Sequence, residues 1–219
     1  PVKADLSHYE CRHGLGYTVI TGTRGGLRAE QTSLVPLGYS AEVTKLALKN
    51  ETDQVKSFRV FSFVEWCLWN AFDDMTNFQR NYSIGEVEID GSALYHKTEY
   101  RERRNHYAVF SVNAHVAGFD TDRESFFGLY NGFGEPDVPK SGKSKNSVAS
   151  GWAPVASHCL EVTLAPGEEK TFLFVLGYCE NEKEQKWESP GVINKTPARK
   201  LIEAFSEDAQ FDQALAQLR

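Results

Sequence analysis

Residues 86–96, EVEIDGSALYH, contain the clearest strand–turn–strand pattern in this sequence. Two runs of strand-forming residues, Glu86–Ile89 and Ser92–His96, flank the dipeptide Asp90-Gly91. Asp-Gly accepts the positive φ angles of a type I′ turn, which joins two strands in a tight hairpin. The stretch therefore predicts an antiparallel β-hairpin.

The same alternation of strand-forming runs and turn residues extends in both directions from this hairpin. Ala41–Leu48 and Val55–Glu65 flank the turn Asn50–Asp53, and Leu160–Leu164 and Lys170–Tyr178 flank the turn Ala165–Gly167, so each pair predicts a further hairpin. Many short strands separated by turn signals are typical of a mainly β fold, either a sandwich or a barrel. The sequence contains no internal repeat, no dinucleotide-binding fingerprint and no P-loop.

The pattern changes from strand to helix after Ile193. Thr196 is predicted to cap a helix with Pro197 at its first position, where proline is favoured. Ser206 or Asp208 is predicted to start a second helix. The apolar residues of the two helices recur at helical spacing: Leu201, Ile202, Phe205, Phe211, Ala214, Leu215 and Leu218. We expect this apolar stripe to pack outside the β-domain or against another domain.

The composition is that of a soluble globular protein with excess acidic charge. The chain has 219 residues, of which 41% are hydrophobic, and its formal net charge is −6. A general nucleic-acid binder would carry a basic surface stripe, so we expect no nucleic-acid partner. No apolar run reaches the roughly 18 residues that a membrane-spanning helix requires, so we expect no membrane partner either.

Four cysteines, Cys11, Cys67, Cys159 and Cys179, are spread along the chain without CxxC spacing. A zinc site is therefore not expected, because structural zinc ligands usually occur in closely spaced pairs. We expect the four thiols to be reduced, which is typical of a cytoplasmic protein.

The segment Phe61–Arg80, FSFVEWCLWNAFDDMTNFQR, begins as a strand and continues with residues that an ordinary strand would not contain. It combines Trp66 and Trp69 with Asn, Asp and Arg residues. Aromatic faces stack on the C–H faces of pyranose rings, while amide, carboxylate and guanidinium groups bind sugar hydroxyls. The composition fits a sugar-binding loop, and it fits equally a loop whose aromatic side chains pack inward and whose polar residues cap turns.

Catalysis by this chain alone has weak sequence support. Glu65, Asp73 and Asp74 are candidates for the carboxylate pair of a glycosidase, but their spacing fixes no separation across a scissile bond. The six histidines show no HExxH motif, and no GxSxG motif supports a serine nucleophile. Residues 131–150 are predicted to form a solvated loop. Exposure on such a loop explains the three lysines of this segment better than binding of phosphate does. These lysines are Lys140, Lys143 and Lys145.

The stretch Tyr100–Tyr107, YRERRNHY, contains four consecutive charged residues, which would be costly inside a sheet. It fits an exposed edge with internal ion pairs. It also fits an interface with another protein surface, because Arg and Tyr are favoured at interfaces.

Three segments carry a resemblance to a known family. His8–Tyr17, Phe61–Arg80 and Tyr95–Tyr107 resemble the N-terminal region of the cellobiose phosphorylase family, whose inverting disaccharide phosphorylases include cellodextrin and chitobiose phosphorylases. The resemblance extends over nearly all of the chain. It implies that residues 1–190 form an antiparallel β-sandwich domain that lacks its N-terminal side, and that 191–219 begin a helical linker.

The resemblance also implies a reaction and its partners. Enzymes of this family split cellobiose with inorganic phosphate into α-glucose 1-phosphate and glucose, with inversion and without a cofactor, since phosphate is a substrate. Their catalytic Asp and their phosphate-binding residues lie in an (α/α)6 barrel, so the resemblance implies no catalytic residue in this chain. We therefore expect the 219 residues alone to be inactive.

The family resemblance places this chain at the acceptor side of the site. Family members are homodimers in which a sandwich loop of one subunit covers the active site of the other. Asn70, Asn77 and Arg80 match family positions in that loop, near the acceptor glucose. The alternative is a non-catalytic carbohydrate-binding β-sandwich, which explains the aromatic–polar loop but not the apolar stripe of the helices. A free-standing glycosidase is the third hypothesis.

Overall fold

The computed structural model describes residues 4–66, 68, 75, 85–98, 105–151 and 153–219. Its strands are β1 (His8–His13), β2 (Tyr17–Arg24), β3 (Leu27–Leu34), β4 (Ala41–Asn50), β5 (Lys56–Phe61), β6 (Val64–Glu65), β7 (Gly85–Asp90), β8 (Ala93–Thr98), β9 (His106–Val112), β10 (Gly118–Asp122), β11 (Ser150–Gly151), β12 (Pro154–Leu164), β13 (Glu169–Glu180), β14 (Trp187–Ser189) and β15 (Val192–Ile193). Its α-helices are α1 (Arg123–Phe127), α2 (Asp137–Ser141), α3 (Thr196–Ala204) and α4 (Asp208–Gln217), and Lys183–Gln185 form a 3₁₀ turn.

Thirteen of the strands form two packed antiparallel sheets, and β14 and β15 pair with each other in a separate two-stranded sheet. Nine strands make the large sheet in the order β1-β2-β3-β4-β13-β9-β8-β7-β11, and the small sheet has the order β10-β12-β5 with β6 paired to β12. Apolar side chains from both sheets fill the space between them, including Leu48, Leu94, Phe110, Leu160, Val162, Leu164 and Phe174. This arrangement is a β-sandwich, which confirms the predicted fold class.

The hairpin predicted at residues 86–96 is present, with its turn shifted by one residue. Asp90 pairs with Ala93, so Gly91 and Ser92 are the turn residues. Gly91 has a φ of 60°, and Ser92 is not among the described residues with positive φ. A type I′ turn requires positive φ at both turn positions, so the predicted turn type is wrong.

The other two predicted hairpins are corners at which the chain passes from one sheet to the other. Strand β4 lies in the large sheet and β5 in the small sheet, and β12 and β13 are divided in the same way. The Asn50 side chain joins both corners, since its Nδ2 donates to the carbonyl oxygens of Gln54 (2.7 Å), Leu164 (3.2 Å) and Ala165 (3.1 Å). The turn residues were recognised correctly, but the strands that they join are not paired.

The segment 131–150 is more ordered than a solvated loop. It contains helix α2, whose Val138 is fully buried. The buried carboxylate of Asp120 accepts hydrogen bonds from the backbone N–H groups of Lys145 and Ser147 and from the Ser147 hydroxyl at 2.8 Å. This carboxylate therefore fixes the later part of the segment against β10.

Helices α3 and α4 pack on the outer face of the large sheet, as the apolar stripe predicts. Their buried residues join a second core with sheet residues: Leu34, Val43, Tyr107, Val175, Ala198, Leu201, Phe205, Phe211 and Ala214. The start of the first helix differs from the prediction, whereas the second helix begins at Asp208, one of its two predicted starts. Thr196 is the first residue of α3 and Lys195 precedes it without a side-chain cap, whereas α4 starts with a capping box between Glu207 and Gln210.

Candidate functional site

The predicted substrate-binding residues Asn70, Asn77 and Arg80 lie outside the residues that the structure describes. The structure does describe both ends of their segment, at Trp66 and at Gly85. The surrounding strands fix the position of those two ends.

Strand pairing brings the ends of two segments together at one edge of the large sheet. Gly85, which follows the segment 67–84, pairs with Thr98 of β8 and with Gly151 of β11. Thr98 immediately precedes the segment 99–104. The residue that follows segment 67–84 and the residue that precedes segment 99–104 are thus paired with each other in the same sheet.

Gly85 is a position that requires glycine because of close packing. A Cβ atom added there would lie 2.8 Å from Cε1 of His96 and 3.1 Å from Cγ of Pro154. The first distance is shorter than real Cβ contacts allow, and the imidazole that it meets is fully buried. The backbone at the end of the segment is therefore held directly against β8 and β12.

Trp66 fixes the other end of the segment by packing inward. Its ring stacks on that of His96, with 5.7 Å between centroids and 23° between planes, and only 7% of Trp66 is exposed. Burial lowers the pKa of His96 to about 4, although a hydrogen bond with the Glu86 backbone opposes the shift, so the imidazole is neutral at pH 7. For Trp66, inward packing is thus correct and sugar stacking is wrong, whereas Trp69 lies outside the described residues.

Glu65, one of the candidate glycosidase acids, forms an ion pair at the surface. Its Oε1 lies 2.6 Å from Nε of Arg123, and both side chains are 42% exposed. Asp73 and Asp74 lie outside the described residues. Glu65 is therefore engaged by a guanidinium group, and the two acids with which it was a candidate to pair are not among the described residues.

A cluster of charges around two buried lysines lies beside the same sheet edge. Lys97 Nζ is 2.9 Å from Glu86 and 2.8 Å from Glu88, while Lys195 Nζ is 2.6 Å from Glu88 and 3.2 Å from Glu188. The two lysine side chains are 5% and 6% exposed. The cluster ties β7 and β8 to the residues that precede helix α3.

The charges of this cluster stabilise one another. Burial opposes ionisation of Glu88, but the ammonium groups of Lys195 and Lys97 outweigh it and lower the pKa of Glu88. Burial likewise opposes the charge of Lys97, and the carboxylates of Glu88 and Glu86 outweigh it and raise the pKa of Lys97. Glu88 and Lys97 are therefore both charged at neutral pH, and the ammonium groups of Lys97 and Lys195 are engaged by carboxylates.

The lysines of the 131–150 segment are not arranged as a phosphate site. Lys140 Nζ lies 2.9 Å from Glu135, and Lys145 Nζ lies 3.7 Å from Asp137. These carboxylates offset two of the three positive charges, and Lys143 is exposed. The structure thus gives no support to phosphate binding by this segment.

The described part of the chain shows neither a metal-binding cluster nor a membrane-spanning helix. Its histidine, cysteine, aspartate and glutamate side chains form no group of three that could hold a metal ion. None of its helices combines the length and the apolar character needed to cross a membrane.

Comparison with known proteins identifies the family of this sandwich. Residues 1–208 match the model of the family described as "Glycosyl hydrolase 94, supersandwich domain". The chain belongs to the glycosyl hydrolase 94 supersandwich family. This membership agrees with the two-sheet architecture and with the wider disaccharide phosphorylase resemblance of the sequence.

The relatives include several disaccharide phosphorylases. The chain is 30% identical over 223 residues to N,N′-diacetylchitobiose phosphorylase of Vibrio proteolyticus, covering 98% of this chain and 25% of the relative. It is 29% identical over 229 residues to solabiose phosphorylase of Paenibacillus borealis, covering 100% of this chain and 29% of the relative. The chain therefore spans between a quarter and a third of the length of these two relatives.

A solved structure shares the fold of this supersandwich. A chain assigned as a kojibiose phosphorylase from the human microbiome superposes with a TM-score of 0.50 at 11% identity, covering 95% of this chain and 23% of the other. At this level of identity the match concerns the fold alone.

The cluster of charges around Lys97 and Lys195 in this supersandwich could not be predicted in full from the sequence, although part of its signal was present. The register of the β7–β8 hairpin places Glu86 directly opposite Lys97, and Glu88 shares the face of Glu86 because side chains alternate along a strand. Lys195 is about a hundred residues away along the chain, and no local pattern links it to Glu88.

Proposed function

We propose that this chain is the sandwich part of a cellobiose phosphorylase. In the proposed reaction, inorganic phosphate attacks the anomeric carbon of cellobiose and releases glucose, leaving α-glucose 1-phosphate with inverted configuration. The observation that carries the proposal is the family match over residues 1–208, together with relatives that are disaccharide phosphorylases. The choice of cellobiose rests on the resemblance of His8–Tyr17, Phe61–Arg80 and Tyr95–Tyr107.

The catalytic groups of the proposed reaction lie elsewhere in the complete protein. The candidate acid Glu65 is engaged by Arg123, and the candidate lysines Lys140 and Lys145 are paired with acids. An (α/α)6 barrel would supply the general acid Asp and the phosphate-binding residues, and no cofactor would be needed. The proposed role of this chain is to shape the acceptor-glucose site and the interface of a cytoplasmic homodimer.

The proposed acceptor contacts suit a site that must release glucose in every turnover. Asn70 and Asn77 are neutral groups that exchange hydrogen bonds with sugar hydroxyls, and Arg80 adds a charged donor. The positive potential of Arg80 would also favour the approach of a phosphate dianion. Support from the fold is that the two ends of this segment are fixed by close packing at Gly85 and by the buried ring of Trp66.

The test is phosphorolysis by the complete protein that contains this chain. Purified protein would be incubated with phosphate and separately with cellobiose, cellotriose and N,N′-diacetylchitobiose, and sugar 1-phosphate would be measured. The expected result is α-glucose 1-phosphate from cellobiose at the highest kcat/KM. Turnover restricted to diacetylchitobiose would overturn the choice of substrate, and sugar binding without any sugar phosphate would support the carbohydrate-binding alternative.

A further inference from the structure

Strand β1 presents a cysteine and a histidine on the same face of the large sheet. Side chains two residues apart on a strand point to the same side, so Cys11 and His13 are neighbours. The distance between Sγ of Cys11 and Nε2 of His13 is 3.5 Å. The other ring nitrogen, Nδ1, lies 3.0 Å from Oγ1 of Thr18, which is paired with His13 across β1 and β2.

The arrangement has the order of a nucleophile, a base and a group that orients the base. When Nδ1 of His13 carries the proton, it donates to the Thr18 hydroxyl oxygen, and Nε2 is left as an acceptor facing the Cys11 thiol. A thiol becomes nucleophilic when it loses its proton, and an adjacent imidazole held by a third group is a recurring way to achieve this.

Cys11 differs in accessibility from the other two described cysteines. Strand β1 is the edge strand of the large sheet, where Cys11 is half-buried and His13 is exposed. Cys159 and Cys179 are 3% and 7% exposed, and burial raises the pKa of both thiols, that of Cys179 to about 11. All three are free thiols.

A metal site does not explain the pair. The described residues contain no group of three potential ligands, and two ligands from one strand leave a tetrahedral zinc ion incomplete. Packing does not explain it either, because His13 contributes an exposed ring at a sheet edge.

We propose that Cys11 is a site of thiol–disulfide exchange with low-molecular-weight disulfides, with His13 as the proton acceptor and Thr18 as the residue that orients it. Nε2 of His13 takes the thiol proton, and the Cys11 thiolate attacks one sulfur of the disulfide R–S–S–R. A new Sγ–S bond forms while the S–S bond breaks, and the departing thiolate takes the proton from His13. Cys11 is oxidised to a mixed disulfide, and the other half of the reagent is reduced to a free thiol. This modification is independent of phosphorolysis.

The chain contains a matched control pair for the experiment. His8 and Thr23 are also paired across β1 and β2, at the other end of the hairpin, and His8 points to the opposite face. The substitutions His13→Phe and Thr18→Val remove the proposed base and its partner. His8→Phe and Thr23→Val make the same chemical changes away from Cys11.

The experiment follows the formation of mixed disulfide with oxidised glutathione in the complete protein at pH 7. Remaining thiols are alkylated with an isotope-labelled maleimide, and the peptides of Cys11, Cys159 and Cys179 are quantified by mass spectrometry. We expect Cys11 to react fastest. We expect His13→Phe to slow it by at least about tenfold, as for loss of a general base, and Thr18→Val to slow it less.

Two results would overturn the proposal. One is a Cys11 rate no greater than the rates of Cys159 and Cys179. The other is equal slowing, or none, in His13→Phe and His8→Phe, which would show that accessibility and not the imidazole determines the rate. Circular dichroism of each variant checks that β1 remains paired.

Discussion

Lys97 and Glu88 form a buried ion pair, with 2.8 Å between Nζ and Oε1 and with 5% and 17% of the two side chains exposed. The same ammonium group also donates to the Gly191 carbonyl oxygen at 2.5 Å and lies 4.8 Å from the centre of the Trp187 ring. A desolvated charge with this many partners contributes to stability mainly because removing one partner leaves another uncompensated. Both residues lie in the β7–β8 hairpin, and the contacts of Lys97 with Gly191 and Trp187 join this hairpin to the paired strands β14 and β15.

The first prediction concerns the loss of this ammonium group. Lys97→Met should destabilise the fold by roughly 1.5–3 kcal/mol, because the largely buried Glu88 loses one of its two ammonium partners and keeps only Lys195. Chemical denaturation followed by far-UV circular dichroism measures this change. Lys140→Met is the control, since the Lys140–Glu135 pair is 66% and 74% exposed and should contribute nothing measurable. Equal denaturation midpoints for the two variants would contradict the prediction.

The second prediction concerns two buried histidines. His96 and His158 are fully buried, and burial lowers the pKa of each to about 4. In the unfolded chain they would bind protons near pH 6.5, so the unfolded state holds more protons between about pH 6.5 and pH 4. Stability is therefore fully present above pH 6.5 and falls as the pH drops towards 4, by about 1.4 kcal/mol per pH unit for each histidine.

The test of that dependence is a series of urea denaturation curves between pH 7 and pH 5. His158→Gln should reduce the slope of unfolding free energy against pH by about one proton, or about 1.4 kcal/mol per pH unit. His8→Gln is the control, because His8 is exposed. A slope in His158→Gln equal to that of the unmodified protein would show that His158 is protonated in the folded state.

Local turn chemistry predicted where the chain reverses but not which strands it joins. Both Asn50 and the Ala165–Gly167 stretch were recognised as turn positions, and both are corners between the sheets. The choice between a hairpin and a corner depends on contacts between residues more than a hundred positions apart, such as Asn50 with Leu164. No local pattern in the sequence encodes such a contact.

The third prediction uses the residue that joins these corners. Asn50→Asp preserves shape and the acceptor that binds the Thr52 hydroxyl at 2.7 Å, but it replaces the donor that faces three carbonyl oxygens. We expect a loss of about 3 kcal/mol at pH 7, since a carboxylate would then face those oxygens inside the protein. Asn113→Asp is the control, because Asn113 is exposed and its amide donates to the Ser206 carbonyl oxygen alone among the described groups. A smaller loss in Asn50→Asp than in Asn113→Asp would contradict this role.

The sequence predicted the family of the candidate site better than the packing of its residues. The family and the sandwich follow from long motifs, and the family match confirms the wider family. The inward packing of Trp66 on His96 could not be predicted, because the same aromatic composition fits a ring on a sugar or a ring in a core. Trp66 packs inward because His96 of β8 provides the surface on which its ring stacks.

The fourth prediction concerns the activity of the 219 residues by themselves. They should release no glucose 1-phosphate from cellobiose and phosphate, since the candidate acid Glu65 is engaged by Arg123 and the candidate lysines Lys140 and Lys145 are paired with acids. The purified chain would be assayed beside the complete protein. Turnover that follows the 219-residue chain through purification would show that it contains a catalytic acid after all.

The last prediction concerns Arg80 in the complete protein. If Arg80 donates a charge-assisted hydrogen bond to the acceptor glucose, Arg80→Ala should cost roughly 1.5–3 kcal/mol of transition-state binding. That loss corresponds to about one to two decades in kcat/KM for glucose in the synthetic direction, with the melting temperature nearly unchanged. Arg59→Ala is the control, because Arg59 is an arginine 46% exposed and paired with Glu161 at 2.6 Å. Unchanged acceptor kinetics together with a lower melting temperature in Arg80→Ala would make Arg80 a structural residue, and the acceptor site would then have to be formed by other groups.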